Sequence, residues 1–294
     1  MKSGVKRTTP YKVISIIILV ILAILFLFPL YWIVTGAFKP TTDIYASQPV
    51  WWPSEWVTSN FAKLFTKRSA PLFTIGSLVG PTVPAAIRWL INTVFMAVVA
   101  MILTCITATM AGYALAKKRF IGRALLFSLI ICAMALPKQV ILIPLLKEMS
   151  TLKLYDRLWA VIFPTVGWPF GVFLMKQFCE SVPGEMLEAA RIDGASEART
   201  FTQIVVPLVK PGIGALAIVT FINSWNDYFM QLIMLPSNVN FTISLGIATL
   251  QGESSVDTGL LMAGAALAAV PIIIVFLIFQ KYFTQGITMG AVKG

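Results

Sequence analysis

Glu-Ala-Ala-Arg-Ile-Asp-Gly-Ala-Ser-Glu-Ala-Arg-Thr-Phe-Thr-Gln-Ile-Val-Val-Pro, residues 188–207, is a polar segment set between two apolar runs. Just upstream, Pro183 permits a helix to start but not to continue through it. Residues Glu185 to Ile192 then suit a helix of about two turns. Asp193-Gly194 is a turn signal, because glycine enters the left-handed conformation without a Cβ penalty. Ser196 can cap a second helix that runs to about Val206, with Pro207 and Pro211-Gly212 to end it. The segment is expected to fold as helix, sharp turn, helix. Ala189 and Ala190 would leave a flat surface on the first helix, suited to close docking in a groove of another protein.

Outward from this segment the chain is apolar. Of 294 residues, 58% are hydrophobic and 12% charged, against about a quarter charged in ordinary soluble domains. The composition is that of an integral membrane protein. Six stretches approach the roughly 20 apolar residues that a spanning helix needs. They are 13–38, 89–116, 124–146 (continuing past Pro137 and Lys138), 158–175, 212–235 (interrupted by Asp227) and 258–279. The first is longer than the apolar region of a cleaved signal peptide, so an uncleaved span is favoured. Residues 69–87 are uncharged too, but Pro71, Gly76, Gly80, Pro81 and Pro84 disfavour a continuous helix. Residues 39–88 are therefore read as one external segment. With six spans the termini share a side, which carries 14 Lys and Arg against nine on the other. The positive-inside rule puts both termini and the 188–207 segment in the cytoplasm. The net charge of +11 fits loops facing anionic lipid better than a nucleic-acid partner.

Residues 188–207 resemble the EAA loop of the membrane subunits of binding-protein-dependent ABC importers. That pattern is E-A-A, three residues, G, nine residues, I-x-L-P. Glu188, Ala189, Ala190, Gly194, Ile204 and Pro207 match it, and Val206 stands where leucine is usual. Other segments resemble the smaller, second permease of the maltose-type sugar importers. They are Arg88-Trp-Leu-Ile-Asn92-Thr, Ala111-Gly-Tyr-Ala-Leu-Ala-Lys-Lys-Arg-Phe120, Ile143-Pro-Leu, Asn223-Ser-Trp-Asn-Asp-Tyr228 and the ending Gln285–Gly294. The likeness is close over 88–294 and loose over 1–68, with 69–87 as an insertion.

The resemblance implies an all-α integral membrane protein with six transmembrane helices in the type I ABC importer permease fold. It implies three regions: 1–87 with the tail, first helix and long external segment; a core at 88–283 with a coupling loop at 180–211; and a cytoplasmic tail at 284–294. Glu188, Ala189, Ala190, Arg191, Asp193 and Gly194 would form the element that docks on the ATPase, with Glu197 a neighbour able to bridge to it. Gly286, Gly290 and Lys293 would reach between two ATPase subunits. The implied partners are a second, homologous permease, two ATPase subunits, an extracytoplasmic solute-binding protein that touches the 236–257 loop, a carbohydrate and membrane lipid. The implied location is the inner membrane of a bacterium or archaeon. This chain would bind no cofactor, and ATP and Mg would sit on the ATPase.

Asn223, Asn226, Asp227 and Tyr228 are the candidates for the translocation pathway. Asn223 lies about 16 Å along its helix from Gly212, near mid-membrane. An acid on a spanning helix is costly and faces a cavity or a partner. The same groups suit helix–helix hydrogen bonding, and in the maltose-type importer the sugar contacts come mainly from the other permease, so a gate is the alternative role. The Trp51-Trp52-Pro53-Ser-Glu-Trp56 cluster suits anchoring at the outer leaflet better than sugar stacking.

Other function classes fit poorly. No P-loop is present, and the dipeptide Gly-Lys does not occur. A secondary transporter or channel would leave the 188–207 segment unexplained and would normally show internal repeats. No histidine, nucleophile motif or paired mid-span acids support an enzyme. Cys105 and Cys132 lie in apolar runs and no C-x-x-C exists, so neither a disulfide framework nor a metal site is expected. The identity of the sugar and its charge stay open.

Overall fold

A computed structural model describes residues 10–75, 77–251 and 257–291, with the backbone alone for residue 75 and residues 281–291. The chain is helical apart from two short strand pairs. In order it runs α1 (Pro10–Ala37), α2 (Thr41–Ile44), α3 (Ser59–Thr66), β1 (Ser69–Pro71), β2 (Thr74–Ile75), β3 (Leu78–Val79), β4 (Thr82–Pro84), α4 (Ala85–Lys117), α5 (Arg123–Met134), α6 (Lys138–Thr151), α7 (Trp159–Val166), α8 (Pro169–Glu180), α9 (Gly184–Ile192), α10 (Glu197–Thr200), a π-helical turn (Phe201–Val205), α11 (Val206–Leu208), α12 (Lys210–Asn226), α13 (Tyr228–Met234), α14 (Ile243–Thr249) and α15 (Thr258–Ala291). Four helical stretches are long and apolar enough to cross a membrane: 10–37, 85–117, 159–180 and 258–280. Two bent pairs raise the number to six among the described residues: α5 with α6 at 106°, and 197–208 with α12 at 75°.

The chain divides into two compact units. The first holds residues up to 68 together with 250–267. Here the apolar face of α1 is exposed along most of its length, from Ile14 to Phe28, as a lipid-facing helix requires. Its last carbonyls are satisfied from a distance, because the buried Asn60 donates to Ala37 O (3.1 Å) and Lys39 O (2.9 Å). Trp51 folds back onto the end of α1, with its ring 5.9 Å from both Phe28 and Trp32. Trp52 and Trp56 remain exposed beside each other. That is the arrangement of an interfacial aromatic belt.

The second unit, residues 69–249 and 268–294, is built on α4. Helix α8 packs along α4 through small residues. A Cβ on Gly112 would lie 2.7 Å from Lys176 N and Met175 C, so the backbones approach as only glycine allows. The uncharged 69–87 stretch is a hairpin feeding directly into α4, with β1 antiparallel to β4 and β2 to β3. The Arg88 guanidinium donates to Leu72 O and to Val239 O, which ties the hairpin to the 236–242 loop. Trp89 and Asn92 donate to the same loop at Asn238 O, Val239 O and Phe241 O. Asp156, at φ +59°, accepts from Ser237 N and Oγ. Its carbonyl accepts from Asn240 at 2.6 Å.

The stretch 124–146, read from the sequence as one span, is instead two helices turned through 106° at Pro137. Proline removes an amide donor and disfavours helix at the residue before it, so the chain leaves α5 at Met134 and restarts at Lys138. The fifth stretch breaks at Asp227 as its composition suggested: α12 ends at Asn226 and α13 begins at Tyr228. Residues 284–291, expected to begin a separate tail, continue α15.

Candidate functional site

The 184–208 segment folds as helix, turn, helix. Pro183 precedes α9 in an extended conformation, and Gly194 follows it at φ +74°. Gly194 N donates to Arg191 O (3.1 Å) and Ala195 N to Ala190 O (2.9 Å). This pair of bonds satisfies the last carbonyls of α9 and is the Schellman arrangement. Ser196 Oγ accepts from Arg199 N at 3.3 Å and caps α10. The second helix then widens into one π turn before ending at Leu208, one residue past Pro207.

The inner side of the segment rests on a buried apolar cluster of Tyr113, Met175, Cys179, Val182, Val205 and Val209, with Leu187 and Phe201 packed on it. Ala190 is buried too, at 6% exposure. The sequence placed Ala189 and Ala190 together on a docking surface, but the rotation of about 100° between adjacent helical residues separates their fates. Ala189 joins Glu185, Glu188 and Ile192 on the outer face at helical spacing. Ile192 is 87% exposed, and Met186 in the first turn of α9 is exposed too. These two apolar residues were missed by the sequence reading, although an apolar side chain at the end of a polar helix was a signal for them. Glu188, Arg191 and Asp193 are exposed as expected.

Glu197 stays exposed and folds back onto its own chain. Its carboxylate accepts from Lys118 Nζ, lies 3.5 Å from Arg191 Nη2 and accepts from Tyr113 OH at 3.4 Å. The Lys118 hydrogen bond, and then the charges of Lys118 and Arg191, hold the Glu197 carboxyl below its ordinary pKa. Lys118 also lies over the Tyr113 ring. The preceding residue, Lys117, donates to Glu180 O (3.1 Å) and Val182 O (2.6 Å) at the end of α8. The Ala111–Phe120 segment therefore acts as a bracket for the loop. Glu197 is a brace within the chain, a role the sequence did not suggest.

The pathway candidates separate into two groups. Asp227 caps α13 by accepting from Met230 N (3.4 Å), and its Oδ2 lies 3.4 Å from Lys138 Nζ at the start of α6. The Lys138 ammonium sits 4.8 Å from the Trp168 ring centre. Lys138, Trp168, Asp227, Thr165, Pro164 and Met230 are among the residues lining a cleft of about 270 Å³. Asn223 lines a smaller neighbouring cavity with Thr104, Thr165, Thr220, Lys138 and Trp168. Asn226 is spent on its own helix, donating to Ile222 O at 3.0 Å. Tyr228 packs edge-on against Phe229. Asn223 and Asp227 thus converge on one region, while Asn226 and Tyr228 do not. Gln231 closes the α12–α13 break, donating to Ser224 O and accepting from Thr242 Oγ1. Gly286 and Gly290 lie on the last turns of α15, and Lys293 lies outside the described residues. Among the described residues no three His, Cys, Asp or Glu side chains gather as a metal site.

Residues 108–289 match the family described as binding-protein-dependent transport system inner membrane component. The chain belongs to this family. It is a transport component and not an enzyme, and its fold is that of a type I ABC importer permease. Among the curated members of the family, the arabinooligosaccharides transport system permease protein of Halalkalibacterium halodurans is 34% identical over 93% of each chain. The trehalose transport system permease protein of Mycobacterium tuberculosis is 28% identical over 99% of this chain and all of its own. The fold is shared with a chain in the crystal structure of a bacterial ABC transporter involved in the import of the acidic polysaccharide alginate, at a TM-score of 0.75. That match is 21% identical in sequence and covers 96% of this chain and 99% of the other.

Proposed function

We infer that this chain forms half of the transmembrane pathway of an ATP-driven importer for a carbohydrate handed over by an extracytoplasmic binding protein. A second, homologous permease supplies the other half. Two ATPase subunits carry ATP and Mg, and this chain binds no cofactor. Both termini and the 180–211 loop face the cytoplasm of a bacterial or archaeal cell. The observation that carries the reading is the exposed face Glu185, Glu188, Ala189 and Ile192 on a helix braced from behind by Glu197. A helix with an exposed, mixed apolar and acidic face on a stiff support is suited to seat in a groove of another protein. The carbohydrate assignment draws support from the relatives named for arabinooligosaccharides and trehalose.

The test is co-purification and coupled transport. Glu188→Lys reverses a charge on the outer face and leaves the inner packing untouched. It is expected to reduce ATPase recovered per permease by about tenfold, the size of a lost charged contact at an interface. Gly194→Val forces a β-branched residue to φ +74° and is expected to act likewise. Full ATPase recovery and full sugar-stimulated ATP hydrolysis in both variants would remove α9 from the interface.

A further inference from the structure

The cleft beside Asp227 and the smaller cavity beside Asn223 share Lys138, Thr165 and Trp168, so they are neighbouring halves of one compartment. Three features of its lining point to a ligand. The first is a buried hydroxyl without a partner: Thr104 is 3% exposed and its Oγ1 makes no hydrogen bond. A buried polar atom in that state is costly and calls for a hydroxyl or a water opposite it. Thr220 and Asn223 lie in the same lining, adding a second hydroxyl and an amide. The smaller cavity measures about 30 Å³, room for one water or one hydroxyl group. The cleft measures about 270 Å³, just below the range of ~300–1,000 Å³ for small-molecule sites.

The second feature is the indole of Trp168, an apolar surface among polar groups. Aromatic faces attract cations and also the slightly positive C–H face of a sugar ring. In this structure the Lys138 ammonium takes that face, and Asp227 takes the ammonium. The third feature is charge. Lys138 and Asp227 are the ionisable residues in the lining of the two cavities, and they cancel.

We propose that this compartment is a subsite for one ring of a neutral saccharide, carried by this chain itself and held shut by Lys138 when empty. Trp168 is the stacking platform. Thr104, Thr220 and Asn223 receive ring hydroxyls. Lys138 swings off the indole as the sugar arrives, and the freed ammonium and the Asp227 carboxylate donate to and accept from hydroxyls. A neutral polyol satisfies a donor and an acceptor that balance one another, whereas a polyanion leaves Asp227 facing like charge. The proposal rests on the carbohydrate reading above and narrows it to neutral sugars.

The experiment uses the complete complex with its binding protein in liposomes. Arabinotriose, trehalose, diacetylchitobiose and an anionic alginate trisaccharide are first screened for stimulated ATP hydrolysis. If none stimulates, the carbohydrate reading itself fails and the subsite with it. If the alginate trisaccharide alone stimulates, the neutral subsite is overturned while carbohydrate import stands. With a stimulating neutral sugar, Trp168→Ala is expected to cut uptake per assembled complex by about tenfold or more, and Trp168→Phe to stay within about threefold of wild type. Thr104→Val, which keeps shape and removes the hydroxyl, is expected to cost about three- to tenfold.

A direct readout accompanies these variants. Thr165→Cys is labelled with a methanethiosulfonate reagent in a Cys132→Ser background, since Cys132 is exposed. The sugar is expected to slow that labelling by about fivefold or more, as occupancy of a site above its Kd requires. Wild-type uptake in both Trp168→Ala and Thr104→Val, or labelling of Thr165→Cys unchanged by the sugar, overturns the proposal. If Trp168→Ala does not assemble, Thr104→Val and the labelling decide.

Discussion

Gly112 offers the sharpest test of the α4–α8 packing. A Cβ at this position would lie 2.7 Å from Lys176 N and Met175 C and 2.8 Å from Met175 Cβ. Comfortable contact between such atoms begins near 3.5 Å, so the shortfall is about 0.8 Å. Two of the three atoms belong to the backbone of α8, and no rotamer change relieves them. Gly112→Ala gains about 1 kcal/mol of helix propensity and loses about 1–3 kcal/mol to overpacking. The net effect is a loss of roughly 0–2 kcal/mol. Gly112→Val keeps the same clash without the propensity gain and adds two methyls, so its net loss is expected to be about 2–3 kcal/mol.

The assay is thermal unfolding of the purified complex in detergent. Gly184→Ala serves as the control, because a Cβ there meets nothing within 4 Å and φ is not positive. The expected order of melting temperature is Gly184→Ala at or above wild type, then Gly112→Ala, then Gly112→Val. Met175→Ala should not rescue Gly112→Ala, since an alanine retains the Cβ and the backbone. A Gly112→Val complex that melts with the wild type would refute the close approach of these helices and the argument built on it.

Three further outcomes follow from the site. Glu197 has a folded pKa below its unfolded value, which is near 4.3, so its brace is complete above that value and is lost as pH falls through the lower folded one. The hydrogen-exchange protection factor of α9, corrected for the intrinsic pH dependence of amide exchange, should therefore be flat from neutrality to about pH 5 and fall in stronger acid, whereas Glu197→Gln should show low protection throughout; a wild-type protection profile without the acid fall contradicts the brace. Asp227→Ala leaves the half-buried Lys138 without its carboxylate and is expected to lower uptake per assembled complex by about tenfold, with Asp227→Asn milder; equal loss of uptake and of complex yield would mark Asp227 as structural only. A cysteine replacing Ala195 should resist an impermeant thiol reagent outside intact cells and one replacing Asn240 should react, and labelling of the first from outside reverses the orientation.

The loop at 184–208 was legible because its instructions are local. Pro183, Gly194 and Ser196 act on neighbouring backbone groups, and the structure uses each one there. The burial of Ala190 was not legible, since it depends on what the rest of the chain packs against the inner side of α9. The same contrast appears in the membrane. Asp227 announced a break in α12, because an acid and its polar neighbours interrupt an apolar run. At Pro137 the sequence reads as one continuing span, since the 106° turn depends on where α6 finds packing. The prolines and glycines of 69–87 excluded a helix, but the pairing of Ser69 with Pro84 is non-local. The Lys138–Asp227 pair joins residues 89 positions apart, and only the fold reveals it.

The bracket around Glu197 has a mechanical consequence. Lys118 from the end of α4, Arg191 from α9 and the α10 turn meet at one carboxylate, while Lys117 holds the last carbonyls of α8. A load applied to α9 is therefore divided between two long helices before it can distort the loop. The bend at 135–137 has no such bracket, and there the backbone bonds shorten from four-residue to three-residue spacing. With α9 as the docking element proposed above, a push of a few ångströms on its outer face would emerge as rotation of the segment beyond that bend, which carries Lys138. On the proposed reading the bracket stands where load would enter and the unbracketed bend stands beside the compartment, which is the distribution of a lever and not of a spring.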